Sequence, residues 1–144
     1  MSSEQASVNG RERFIFPAPV ATLIGCQVTE SGDGRGVVEL DADERHANPM
    51  GTVHGGILCD IADLAMGTAY ASTLGEDESF TTIELKVNFL RPVWRGRLRA
   101  VAEVKRRGRT VGLVTCDVFD ERDQSVAYFT STCMTLRGTQ ATGR

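Results

Sequence analysis

The sequence predicts an α+β fold in which an antiparallel sheet of five or six strands wraps around one long helix. Three observations carry this. Residues 54–73, HGGILCDIADLAMGTAYAST, are the only long helical segment in the chain. Nearly everything after it reads as strand, and two further strands precede it.

The elements follow in chain order. Residues 1–12 are polar and read as a loose arm ahead of a single domain spanning the 144 residues. PVATLIGCQVTE (19–30) reads as a short helical turn followed by a strand. GRGVVELDAD (34–43) is a second strand after the Gly-rich turn SGDGRG. The long helix spans about 30 Å for twenty residues. Ile57, Leu58, Ile61, Ala62, Ala65 and Ala69 share one side of it at 100° per residue; Gly56, Asp60, Asp63, Gly67 and Tyr70 share the other. LGEDES ends it. FTTIELKVNFL (80–90) then alternates, with Ile83, Leu85, Val87 and Phe89 on one face and Thr82, Glu84, Lys86 and Asn88 on the other. After the turn RPVWRG come three more strands, at 97–108, 109–120 and 124–136, joined by RRGRT and DERDQ as hairpin turns.

Composition excludes several functional classes. Hydrophobic residues make up 41% and charged residues 24%, as in an ordinary globular domain. The net charge of -3 gives no case for a nucleic-acid partner. No apolar run approaches the ~18 residues of a transmembrane helix, and the N-terminus lacks a signal-peptide core, so a cytoplasmic protein off the membrane is expected. Cys26, Cys59, Cys116 and Cys133 form no CxxC pair and read as reduced core residues. With only His46 and His54 as histidines, no metal centre is expected.

NPMGTVHGG (48–56) is the most informative stretch. A helix that begins near His54 or Gly55 leaves its first N–H groups unpaired and partly positive. Gly55 and Gly56 have no side chain to shield those groups, so a carbonyl oxygen or an anion can reach them, as in an oxyanion hole. Equally, the glycines could serve only a tight turn. Asp63 is the acidic residue between Gly56 and Gly67, suited to a general base or a nucleophile. It lies nine residues after His54, about 13.5 Å along the axis and half a turn round. It therefore cannot serve its own helix N-terminus. If the two features work together, Asp63 comes from a second copy, and the site is composite within a homodimer. Asp60, three residues earlier and 60° away, is not excluded by spacing as the active carboxylate.

NPMGTVHGGILCDIADLAMGTA resembles the signature of the hotdog-fold acyl-CoA thioesterases, in the subgroup that includes the phenylacetate-pathway enzymes. The matching positions are Asn48, Gly51, His54, Gly55, Gly56 and Asp63, and TTIELKVNFLRPVWRGRLRAVAEV extends the likeness. The resemblance implies a hotdog fold, with the helix inside and the sheet around it. It also implies hydrolysis of an acyl-CoA, aryl or phenylacetyl-type or short to medium in chain, to free acid and CoA. Gly55 would polarise the thioester carbonyl, with Gly56 beside it against the substrate. Asp63 of the partner subunit would activate water or attack directly. Asn48 would position the water or the thioester. His54 would shape the loop or hydrogen-bond near the thioester, and Thr82 would help to hold the water. No cofactor is needed, since CoA is part of the substrate, and a homotetramer is the assembly such relatives often form. Pro49, Met50 and Asp60 depart from the family pattern.

Eight of the sixteen basic residues fall within nineteen positions: Arg91, Arg95, Arg97, Arg99, Lys105, Arg106, Arg107 and Arg109. In an acidic chain this suggests contacts to the CoA phosphates, with Arg91, Arg107 and Arg109 as the candidates. The alternative on the same fold is a non-catalytic acyl-CoA binding or sensing protein, which has no need of Asp63.

Overall fold

The computed structural model describes residues 18–143, so the expected arm at 1–12 lies outside the described residues. The elements are α1 (Pro19–Ile24), β1 (Cys26–Gly32), β2 (Arg35–Ala42), a 3-10 turn (Glu44–His46), α2 (Gly55–Ala71), β3 (Glu78–Phe89), β4 (Gly96–Arg107), β5 (Val111–Phe119), β6 (Ser125–Arg137) and a final 3-10 turn (Gly138–Ala141). The six strands form one antiparallel sheet in the order β1-β2-β4-β5-β6-β3. This is the helix-and-wrap architecture of the hotdog fold. Among the described residues no helix is long and apolar enough to cross a membrane.

Local chemistry sets the boundaries. α1 starts on Pro19, whose missing N–H costs nothing there, and stops at Gly25, which takes the left-handed conformation at φ 87°. α2 lies against the concave face of the sheet and buries Leu58, Ile61, Ala62, Ala65, Met66 and Ala69. Its approach to β2 depends on Gly36: a β-carbon there would come within 2.5 Å of the Ala65 carbonyl oxygen. Helix and sheet therefore meet backbone to side-chain-free backbone, and any larger residue at 36 would push them apart.

Two features depart from the sequence reading. Tyr70, expected on the small polar side of the helix, is fully buried, and its hydroxyl lies 2.7 Å from Thr135 Oγ1. The sheet curls round the C-terminal end of α2, so the Tyr70 side of the helix is covered there. In β3 the alternation is broken by a bulge. Thr82 pairs with Cys133 and Glu84 with Thr132, which leaves Ile83 as the extra residue, 55% exposed. The bulge returns Thr82 to the helix-facing side together with Leu85, instead of opposite it.

His46 is buried in the loop ahead of α2. Its Nδ1 accepts the Asp43 N–H at 3.0 Å and its Nε2 lies 2.7 Å from the Ile24 carbonyl oxygen. The imidazole thus ties the loop to the end of α1, satisfying two backbone groups that burial would otherwise strand.

Candidate active site

The loop before α2 is held from within. Asn48 Oδ1 accepts the N–H groups of Met50 and Thr52, and its Nδ2 donates to Thr52 Oγ1 at 2.8 Å. Gly51 completes the turn at φ 93°, and the Val53 N–H donates to the Val93 carbonyl at 2.7 Å. Asn48 thus spends its side chain on shaping the loop that delivers the helix N-terminus.

His54 is the N-cap. Its Nδ1 accepts the Gly56 N–H at 2.8 Å, and its carbonyl accepts from Ile57 and Leu58. With Nδ1 an acceptor, the neutral ring carries its proton on Nε2. The Gly55 N–H has no acceptor among the described residues. It is the free donor at the positive end of a 17-residue helix. The ring of Phe89, the last residue of β3, packs on Gly55.

An open cleft of about 320 Å³ runs between α2 and the edge strand β3. Cys59, Asp60 and Asp63 line it from the helix; Thr82, Ile83, Glu84 and Leu85 line it from the strand. Sequence-predicted Asp63 and Thr82 are therefore brought together. Gly55 lies eight residues back, about 12 Å along the axis, and does not share the cleft within one chain. Asp63 is open to solvent in area yet crowded by protein on one side. That desolvation raises its carboxyl above the ordinary carboxylate range, and the neighbouring Asp60 raises it further. Burial also raises Asp60, with His54 acting in the opposite sense. Thr82 Oγ1 lies 3.9 Å from the buried Cys133 sulfur, whose thiol burial pushes up. All four cysteines are free thiols, and Cys59 alone among them belongs to the cleft.

The basic cluster does not converge. β4 is twelve residues long, about 40 Å, and separates its members. Arg91 and Arg95 are exposed beyond the end of β3, near the α2 N-terminus, while Arg106 and Arg109 are exposed at the opposite end of β4. Arg97, Arg99 and Lys105 pair with Asp41, Asp123 and Glu103. Arg107 is committed inside the molecule: it donates to Thr73 Oγ1 and the Gly108 carbonyl, pairs with Glu78, and stacks over Tyr70 at 5.1 Å.

Sequence reasoning missed Phe89 as the residue lying on Gly55, and Cys59 as a wall of the cleft. The alternating pattern set Phe89 on one face with Leu85 and Val87, but nothing local told which helical residue it would meet.

The thioesterase superfamily model matches residues 50–127. A candidate esterase of Saccharolobus solfataricus is 37% identical over 87 residues, 60% of this chain and 61% of that protein. The 1,4-dihydroxy-2-naphthoyl-CoA hydrolase of Listeria monocytogenes is 27% identical over 101 residues, 70% of this chain and 82% of that enzyme. Among solved structures, a candidate thioesterase of Ralstonia eutropha related to phenylacetic acid degradation is 34% identical, with a TM-score of 0.74 over 82% of this chain and 91% of that one. The chain belongs to the thioesterase superfamily and is a thioester hydrolase of hotdog architecture.

Proposed function

We propose that the protein hydrolyses an acyl-CoA to the free acid and CoA at a site shared between two subunits. One observation carries the reading: the free Gly55 N–H and Asp63 lie on the same helix, two turns apart, and cannot meet within one chain. The naphthoyl-CoA hydrolase supports a CoA thioester as the substrate, and with the phenylacetate-related thioesterase it favours the aryl end of a class that also takes in short to medium acyl groups.

The edge strand supports the dimer. Among the described residues β3 is paired on one side only, by β6, and presents twelve residues of backbone together with exposed Ile83 and Phe89. Such an edge invites a second copy. A copy seated antiparallel there would bring Asp63 of the partner subunit toward Gly55. A tetramer is the expected particle, and a CoA thioester as substrate accords with a cytoplasmic protein.

In this mechanism the Gly55 N–H donates to the thioester carbonyl oxygen. A water beside Asp63 of the partner subunit, steadied by Thr82, loses its proton to the carboxylate and attacks the carbonyl carbon. The oxyanion is held by the Gly55 N–H and the helix dipole. Collapse breaks the C–S bond, and the CoA sulfur takes back the proton. Asn48 and His54 hold the loop and cap that aim Gly55, and Gly56 leaves room for the substrate. Arg91 and Arg109 are the exposed candidates for the CoA phosphates.

Thiol release from a panel of acyl-CoAs tests the reading, with Asp63→Asn beside wild type. Turnover of one acyl class, reduced ~10²-fold or more in the variant, upholds it. An acyl-CoA that protects the protein from unfolding but is never cleaved would replace it with a binding protein.

A further inference from the structure

The cleft holds a second carboxylate that the mechanism does not use. Asp60 precedes Asp63 at the i, i+3 spacing, which sets two side chains on one helix face with Cβ atoms about 5–6 Å apart. Both line the same cleft, and neither has a hydrogen bond or ion pair among the described residues. Of the other titratable groups nearby, His54 opposes the raising of Asp60, and none opposes that of Asp63. From α2 there is Cys59, from its cap His54, and from β3 Glu84, which already accepts from the Thr132 hydroxyl at 2.8 Å. From β6 and β1 come Cys133 and Cys26, buried thiols held protonated by desolvation. Among the described residues no Arg or Lys lines the cleft. The effect of Asp60 on Asp63 is therefore not offset by a partner of Asp63 there.

We propose that Asp60 is a positioning residue for the hydrolysis: its charge, one helical turn from Asp63, fixes how strongly Asp63 holds the proton it takes from water. The inference rests on the reading of Asp63 as the proton acceptor. An isolated surface aspartate ionises readily but is a weak base; a like charge alongside makes it a stronger one. The direction found for Asp63, raised by burial and then by Asp60, accords with this. Two such groups titrate as a pair, so the acid limb of the rate profile belongs to both.

The test compares kcat/KM against pH for wild type, Asp60→Asn, Asp60→Glu and Asp63→Asn, together with the NMR titration of the Asp63 carboxyl carbon. Asp60→Asn should move the acid limb down by about one pH unit and lower the plateau a few-fold. Asp60→Glu keeps the charge and should restore the limb. Asp63→Asn should lose ~10²-fold or more at every pH. An acid limb unmoved in Asp60→Asn overturns the proposal. So does loss of activity in Asp60→Asn equal to that of Asp63→Asn at every pH, since Asp60 would then be the base itself. Should Asp63→Asn keep full turnover, the assignment of Asp63 fails and the proposal fails with it. The NMR midpoint, which needs no turnover, still reports whether the two carboxylates are coupled, so the two failures are told apart.

Discussion

The ring of Phe89 lies on Gly55 so closely that a β-carbon on the glycine would sit 2.8 Å from Phe89 Cζ. Phe89 is 55% exposed, so its ring can swing outward without displacing backbone. Two substitutions separate the ring from the N–H. Gly55→Ala keeps the donor and displaces the ring; we expect a folded protein and a several-fold loss in kcat/KM. Gly55→Pro displaces the ring and also removes the donor. Proline is well placed at the first helical position, and His54 at φ −62° and ψ 135° already has the extended backbone a following proline requires. The proline variant should therefore fold, yet turn over ~10²–10³ more slowly than the alanine variant. Equal rates in the two would mean that the Gly55 N–H does not hold the oxyanion.

Asp63 should trade stability for activity. Its folded carboxyl is raised above the ordinary aspartate value of 3.8, chiefly by desolvation. A raised acid contributes its full share of stability below the unfolded value, and loses it as pH rises through the folded one. At pH 7 the charged Asp63 therefore weakens the fold. Because the side chain remains open to solvent, the effect is modest. Asp63→Asn should melt about 2 °C higher at pH 7 and lose that advantage below pH 3.8. A variant that melts lower at pH 7 would contradict the electrostatic account.

The helix and strands were legible because periodicity is local: the 100° pattern of 57–69 and the alternations after residue 80 need no distant partner. The helix N-terminus and Asp63 were legible for the same reason, since their spacing along one helix follows from its rise. The bulge at Ile83 was not. The alternation runs unbroken through it, and only the pairing of Thr82 with Cys133 and of Glu84 with Thr132 creates it. Tyr70 was misplaced because its partner Thr135 is 65 residues away, on a strand that closes over the helix. The basic residues misled in the opposite sense: neighbours in sequence along a strand are spread over its length.

Glu78 should account for part of the protein's acid sensitivity. It accepts the Gly75 N–H at 2.7 Å and pairs with Arg137 at 2.6 Å and Arg107 at 3.3 Å, with its side chain only 19% exposed. The Gly75 hydrogen bond, followed by Arg137 and Arg107, holds its carboxyl below the usual 4.5. A lowered acid gives stability that is present above the unfolded value and lost as pH falls through the folded one. Glu78→Gln should cost about 1–2 kcal/mol at pH 7 by urea unfolding. The gap between variant and wild type should close below pH 4.5. A gap that persists unchanged at pH 3 would assign the cost to packing instead.

The arginines should divide into structural and substrate-facing groups. Arg107 reaches Thr73, the Gly108 carbonyl, Glu78 and the Tyr70 ring, so each of its guanidinium nitrogens already has a partner within the fold. Arg107→Ala should cost about 1–2 kcal/mol of stability through lost hydrogen bonds and stacking. Its KM for acyl-CoA should stay within about twofold, because a contact it does not make cannot be lost. Arg91 and Arg109 are exposed and have no ion pair among the described residues. A phosphate contact from either would be charge-assisted, screened by salt, and absent from the acyl-transfer step itself. Removing it should raise KM several-fold, leave kcat alone, and flatten the rise of KM with ionic strength. Arg91 stands near Gly55 of its own chain, whereas Arg109 lies at the far end of β4. In a composite site the two therefore approach the substrate from different subunits. Whichever substitution raises KM identifies the subunit that holds the phosphates. A raised KM in Arg107→Ala, with Arg91→Ala and Arg109→Ala silent, would mean that Arg107 leaves Glu78 when substrate binds.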